Sequence, residues 1–211
     1  MVIERLLLHK IMIKYLFFIF ISLNIGAETV NDLTVLLSKM QSAQGDFYQK
    51  VIDQNGALVQ EVSGTFSFKK PNLFKWNYIT PFKSQIISDG DLLYLYDPDL
   101  KQVVISPLDK LGGVSPAMLL VSEEISNAFN VIYLKSLDSK DWFQAVPKDK
   151  SQTTFKSVLI HFEKNTINEM RVLDNFEQTT NILFKNLQIN KKVDDASFLF
   201  NIPENVDVIK N

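Results

Sequence analysis

From residue 45 onward the chain alternates between apolar and polar positions. Phe47, Gln49 and Val51 fall two apart, Asn55-Gly56 interrupts, and Leu58 followed by Thr65-Phe-Ser-Phe68 resumes the rhythm. That pattern predicts two strands joined by an Asn-Gly hairpin. Phe74, Trp76 and Tyr78 alternate with Lys75 and Asn77, which predicts a strand with one aromatic face. Asp89-Gly90 makes a second tight turn between strands over 85–88 and 91–96, and Asp97-Pro98-Asp99 breaks the chain before a strand over 102–105. Further strands are expected at 131–137, 142–146, 155–163, 169–174 and 178–187.

Helical spacing interrupts this pattern twice. Leu33, Leu36, Leu37 and Met40 share one stripe of a helix over 31–40. Between residues 107 and 130, Gly112-Gly113 and Ser115-Pro116 lead into helical spacing over 116–125, read as a helical insertion between strands. A single helical turn is expected at 194–198, ahead of Pro203. No Pro-, Gly- or Ser-rich linker divides the chain, so residues 28–211 read as one domain built on a continuous antiparallel sheet. Val158, Ile160 and Phe162 lie on one side of their strand and Leu159 on the other. A sheet apolar on both faces must be covered on both, or curl so that its concave face encloses something. The helices at 31–40 and 116–125 are the available cover.

The first 27 residues follow another rule. Lys10 and Lys14 precede an apolar run over 15–25, then Gly26-Ala27 and acidic Glu28. This is the form of a signal peptide cleaved near Ala27, with Met12 as an alternative start. The run is too short for a bilayer core, which takes about 20 residues. The expected product is exported and soluble.

Composition removes several chemistries. The 211 residues contain no Cys, so no disulfide, thiolate nucleophile, iron–sulfur cluster or cysteine-linked lipid anchor is possible. A net charge of −2 lacks the basic footprint that nucleic acid requires. Phosphate-loop, dinucleotide and nucleophile-elbow motifs are missing. His161 lies mid-strand and reads as a half-buried structural residue. Asp89, Asp91, Asp97 and Asp99 form the densest carboxylate group. Calcium binding or a paired-carboxylate hydrolase is conceivable there, but Asp-Gly and Asp-Pro are what tight turns need, and no spacing matches an EF-hand. No catalytic residue, metal site or cofactor is assigned.

Lys69-Lys-Pro-Asn-Leu-Phe-Lys-Trp76, followed by Ser88-Asp-Gly-Asp-Leu-Leu-Tyr-Leu-Tyr-Asp-Pro98, closely resembles the periplasmic outer-membrane lipoprotein carrier (LolA) family. Phe47-Tyr-Gln-Lys-Val51, Asn55-Gly56, Gly64, Ser115-Pro-Ala-Met-Leu-Leu120 and Asp195-Ala-Ser-Phe-Leu-Phe200 fall where that family has matching segments. The resemblance spans roughly 33–208. It implies a mainly β fold with some α: an incomplete antiparallel β-barrel, or strongly curved sheet, whose helical lid covers an apolar cavity for acyl chains. Phe66, Phe68, Phe74 and Trp76 are then cavity candidates, and Met118, Leu119 and Leu120 lid candidates. It further implies acylated lipoproteins as cargo, an inner-membrane lipoprotein-releasing ABC transporter as donor, an outer-membrane lipoprotein receptor as acceptor, and a monomeric, non-enzymatic chaperone in the periplasm. Where the family carries an arginine that latches the lid, this chain has Lys70, a compact charge in place of a planar fork. The competing readings are an exported lipid- or protein-binding sensor or scaffold of the same fold, and an exported hydrolase using the aspartates. The chain has no long extension past Val208, so a function that depends on an added tail is not expected.

Overall fold

The computed structural model describes residues 25–108, 119–121, 125–150 and 153–211. The first helix, α1, runs Ile25–Ser38. Six strands follow: β1 Ser42–Ile52, β2 Leu58–Lys69, β3 Leu73–Thr80, β4 Ser84–Asp89, β5 Leu92–Asp97 and β6 Gln102–Pro107. The four-residue helix α2, Ile125–Ala128, leads into β7 Phe129–Leu137, β8 Lys140–Pro147, β9 Phe155–Glu163, β10 Thr166–Asp174 and β11 Thr179–Ile189. A 3-10 turn at Asp195–Phe198 and a last strand, β12 Asp207–Lys210, complete the order. The predicted strands are present with ends displaced by no more than three residues from β7 onward.

All twelve strands join one open sheet, ordered β12-β6-β5-β4-β3-β2-β1-β11-β10-β9-β8-β7. The expectation of a wholly antiparallel sheet needs correction, because β12 pairs with β6 in parallel. Its four residues are exposed and carry no alternating burial. The pairing is made about 100 residues away in sequence, so no local pattern announces it. The chain reaches that edge across the outer face, where Phe200 packs on Tyr94 and Tyr96 with ring centroids 5.3 and 5.4 Å apart. Phe198 is fully buried on the way.

Helix α1 begins before the predicted stripe and ends two residues earlier than residue 40. The anticipated signal peptide lies largely outside the described residues, and the expected cut after Ala27 falls inside this helix. The helix expected over 116–125 is displaced where it is described: Leu119 and Leu120 form a 3-10 turn, and the α-helix occupies Ile125–Ala128. Residues 109–118 and 122–124 lie outside the described part.

The sheet is strongly curved. Helix α1 packs against β7 at one edge, while its Leu37 carbonyl accepts a hydrogen bond from Lys70 in the β2–β3 turn. Between β7 and β2 lie β8, β9, β10, β11 and β1. A flat sheet would hold those positions about 29 Å apart at ~4.8 Å per strand, against a helix about 10–12 Å wide. One short helix reaches both only if the sheet curls around it.

Candidate functional site

Alternation in β2 and β3 sends Phe66, Phe68, Phe74 and Trp76 to the concave face. The register then places them side by side, Phe66 opposite Trp76 and Phe68 opposite Phe74. All four are buried. Phe47 from β1 and Phe184 from β11 complete an aromatic cluster: Phe47 lies 4.2 Å from Trp76, Phe66 5.1 Å from Phe184, and Phe74 is stacked 5.8 Å from Trp76. Leu33, Leu37 and Met40 from α1 and the residue pair that follows it close the cluster from above, together with Leu119, Leu120, Val121 and Ile125. Six of the seven residues proposed for cavity and lid therefore lie in one apolar cluster, and Met118 lies outside the described residues. Sequence reasoning missed Phe47 and Phe184 as members. Phe47 shares a strand face with Val51, and Phe184 with Ile182, which marks both as core-facing, but nothing local brings β1 and β11 together.

Lys70 sits at the rim of this cluster. Its Nζ donates to the Leu37 carbonyl at 2.9 Å. That carbonyl is in the last turn of α1, where unpaired carbonyls and the negative end of the helix dipole favour a cation. Lys69 turns the other way and pairs with Asp195 at 2.5 Å, tying the same hairpin to the C-terminal segment. One lysine pair thus holds structure on both faces of the sheet.

Two polar groups lie within the aromatic cluster. Trp76 Nε1 is buried and has no acceptor in hydrogen-bonding geometry. The Tyr78 hydroxyl is pushed up to about 12 by burial, with the neighbouring Trp76 N–H acting weakly in the opposite direction. A buried indole N–H normally finds a partner, and leaving one unpaired costs about 1–3 kcal/mol.

The opposite face differs in chemistry. A polar pocket of about 380 Å³ lies over β11, β1, β2 and β3, lined by Gln44, Asp46, Thr65, Ser67, Asn77 and Asn186 among others. Its amides are engaged with neighbouring side chains, Gln44 with Gln188 and Asn186 with Asp46. The aspartates singled out in the sequence are turn residues. Asp89 Oδ1 accepts from the Asp91 and Leu92 backbone amides and Oδ2 from the Tyr94 hydroxyl, while Asp97 Oδ1 accepts from Asp99 and Leu100. Partial burial raises the Asp89 carboxyl, but these hydrogen bonds outweigh it and hold it below the usual range. His161 is structural as expected, with Nδ1 2.8 Å from the Asp141 carbonyl and its ring 5.4 Å from Trp142.

Residues 38–201 match the family described as "Outer membrane lipoprotein carrier protein LolA". The chain is 38% identical over 187 residues to the outer-membrane lipoprotein carrier protein of Pseudomonas putida, covering 88% of this chain and 89% of that one. It is 37% identical over 186 residues to the protein of the same description from Bordetella avium, covering 88% of each. Among solved structures, an outer membrane lipoprotein-sorting protein domain from Vibrio parahaemolyticus aligns with a TM-score of 0.50 at 12% identity, covering 82% of this chain and 95% of that one. At that identity the likeness speaks for the fold alone.

Proposed function

This chain belongs to the family of outer membrane lipoprotein carrier proteins, and from that premise we propose that it shelters lipoprotein acyl chains between its aromatic sheet face and helix α1 while they cross the periplasm. It is a carrier and not an enzyme. The observation that carries the reading is the apolar cluster itself: one contiguous aromatic face, closed by a helix that joins the sheet through side chains and a lysine contact. An acyl chain of 16 carbons costs on the order of 12 kcal/mol to expose to water, at about 0.8 kcal/mol per methylene. Lifting α1 and the 119–125 segment from the sheet would expose a surface of the right chemistry, and a bound acyl chain would take the helix's place against the rings. Lys70 serves as the latch in this scheme, holding α1 by a hydrogen bond that opening breaks.

The protein enters the periplasm by its N-terminal signal, takes cargo from an inner-membrane ABC transporter and yields it to an outer-membrane lipoprotein receptor. The chain has no nucleotide-binding motif, so loading is driven by the donor and release runs downhill to a better acceptor.

Phe74 tests the reading. It is fully buried against Trp76 beneath the helical cover. Phe74→Glu introduces a carboxylate that a closed interior rejects and an openable one hydrates. The variant should stay folded, with the cover displaced, and fail to take up or exchange a triacylated lipopeptide. Phe74→Leu keeps the surface apolar and should retain most loading. Thermal melts paired with native mass spectrometry decide between outcomes. A glutamate variant that is folded and still loads and delivers would remove Phe74 from the site.

A further inference from the structure

Among the described residues, Trp76 Nε1 is the one buried side-chain donor without an acceptor, and the indole that carries it is 3% exposed. The ring is held on several sides. Phe47 is tilted against it at 4.2 Å, Phe66 lies 5.5 Å away, Phe74 stacks at 5.8 Å and Phe184 meets it edge-on at 6.1 Å. It cannot swing toward a partner without unpacking the cluster. The strands on either side use their backbone carbonyls in the β2–β3 and β3–β4 ladders. The chain thus places a fixed, dry N–H in the middle of an otherwise apolar surface.

A ligand matching that surface has a long apolar body and a neutral acceptor. Water or a free ion would satisfy the N–H but not the rings around it. An alkane would satisfy the rings and leave the N–H unpaired. An acyl chain joined through an ester or amide supplies both, because its carbonyl arrives attached to the hydrocarbon. We infer that Trp76 Nε1 donates a hydrogen bond to the ester or amide carbonyl at the head of a bound acyl chain, fixing how deeply that chain runs into the protein. The inference rests on the carrier reading and adds to it a chemical preference for acyl over alkyl chains.

The test compares 1,2-dioctanoylglycerol with its dioctyl ether, which keeps the hydrocarbon and lacks the carbonyls. Affinities are measured by calorimetry for the unaltered protein and for Trp76→Phe, which keeps an aromatic ring and loses the donor. The ester-to-ether affinity ratio should fall about fivefold to tenfold in the variant, the worth of one hydrogen bond, while ether binding stays nearly constant. In ¹⁵N-labelled unaltered protein, the Trp76 indole N–H resonance should move downfield with the ester and not with the ether. Equal ester-to-ether ratios in the two proteins would overturn the inference and leave the carrier reading intact. Failure of the unaltered protein to bind either compound would overturn both. Should Trp76→Phe not fold, the resonance decides, and an indole signal unmoved by the ester counts against the inference.

Discussion

A β-carbon at Gly64 would lie 1.8 Å from the Asn77 carbonyl oxygen and 2.9 Å from Cε1 of Phe47. The first contact is with backbone, so no side-chain rotation relieves it. The β2–β3 ladder shifts register between Ser63 and Gly64, and the missing side chain lets the two strands close at that step with the Phe47 ring against them. Gly64→Ala should therefore destabilise the protein by about 1–3 kcal/mol or more, lowering Tm by roughly 2–4 °C per kcal/mol for a chain of this size. Differential scanning calorimetry measures it, and an unchanged Tm would show that the strands part without cost. Lys70 makes the complementary point about what a sequence can convey. Its charge and its place before Pro71 were legible as a rim feature, yet its acceptor, a helix carbonyl 33 residues away, belongs to the folded chain alone.

Strands β8, β9 and β10 carry a second cluster on the face away from α1. Trp142 is fully buried there, with Nε1 donating to the Leu137 carbonyl at 3.1 Å. The Arg171 guanidinium lies 4.4 Å from its ring centroid and hydrogen-bonds Asp138 and Glu169; Lys140 pairs with Glu169 from the other side at 2.5 Å. These charges cover the outer side of a strand whose inner side packs in the core. Partial burial raises the Glu169 carboxyl, but the hydrogen bonds and charges of Lys140 and Arg171 outweigh it, so the net direction is down. A carboxyl whose folded pKa is depressed contributes stability that is complete above its unfolded value of about 4.3 and is lost as pH falls through the folded value. Glu169→Gln should lower stability at pH 7 and flatten its decline between about pH 5 and 3. Urea unfolding at several pH values checks this, and parallel profiles for the two proteins would refute it.

Across the whole molecule the two tryptophans report on opposite faces. Trp76 lies among the aromatic rings beneath α1, and Trp142 lies under Arg171 on the outside. These are the only tryptophans in the chain. If cargo enters between the sheet and α1, loading with an acylated peptide should shift the emission of a Trp142→Phe protein, which keeps Trp76, and leave that of a Trp76→Phe protein nearly unchanged. Equal responses would place the lipid elsewhere. The open sheet with its helical cover suits this geometry, since a curled sheet keeps its backbone hydrogen bonds while the cover departs. The interior is closed by apolar side chains of α1 and the 119–125 segment, elements that meet the sheet through side-chain packing and the Lys70 contact.

Period-two alternation identified the strands, because a half-buried strand must place every second side chain inward. Phe66, Phe68, Phe74 and Trp76 could be assigned to one apolar face for the same reason. Turn chemistry fixed the Asp89-Gly90 and Asn55-Gly56 corners, and the motif around Pro71 carried the family resemblance. Register, curvature and long-range pairing were decided only by the folded chain. Phe47 and Phe184 join the cluster because β1 pairs with β11 across more than a hundred residues. The parallel edge at β12 exists because the C-terminal segment crosses the outer face and meets β6 along its own direction. The unpaired Trp76 N–H is tertiary in the strictest sense, since every residue that fixes its ring and withholds an acceptor arrives through the packing of strands onto strands. Local pattern fixes which way a side chain faces, whereas what it meets there depends on contacts whose partners lie far along the chain.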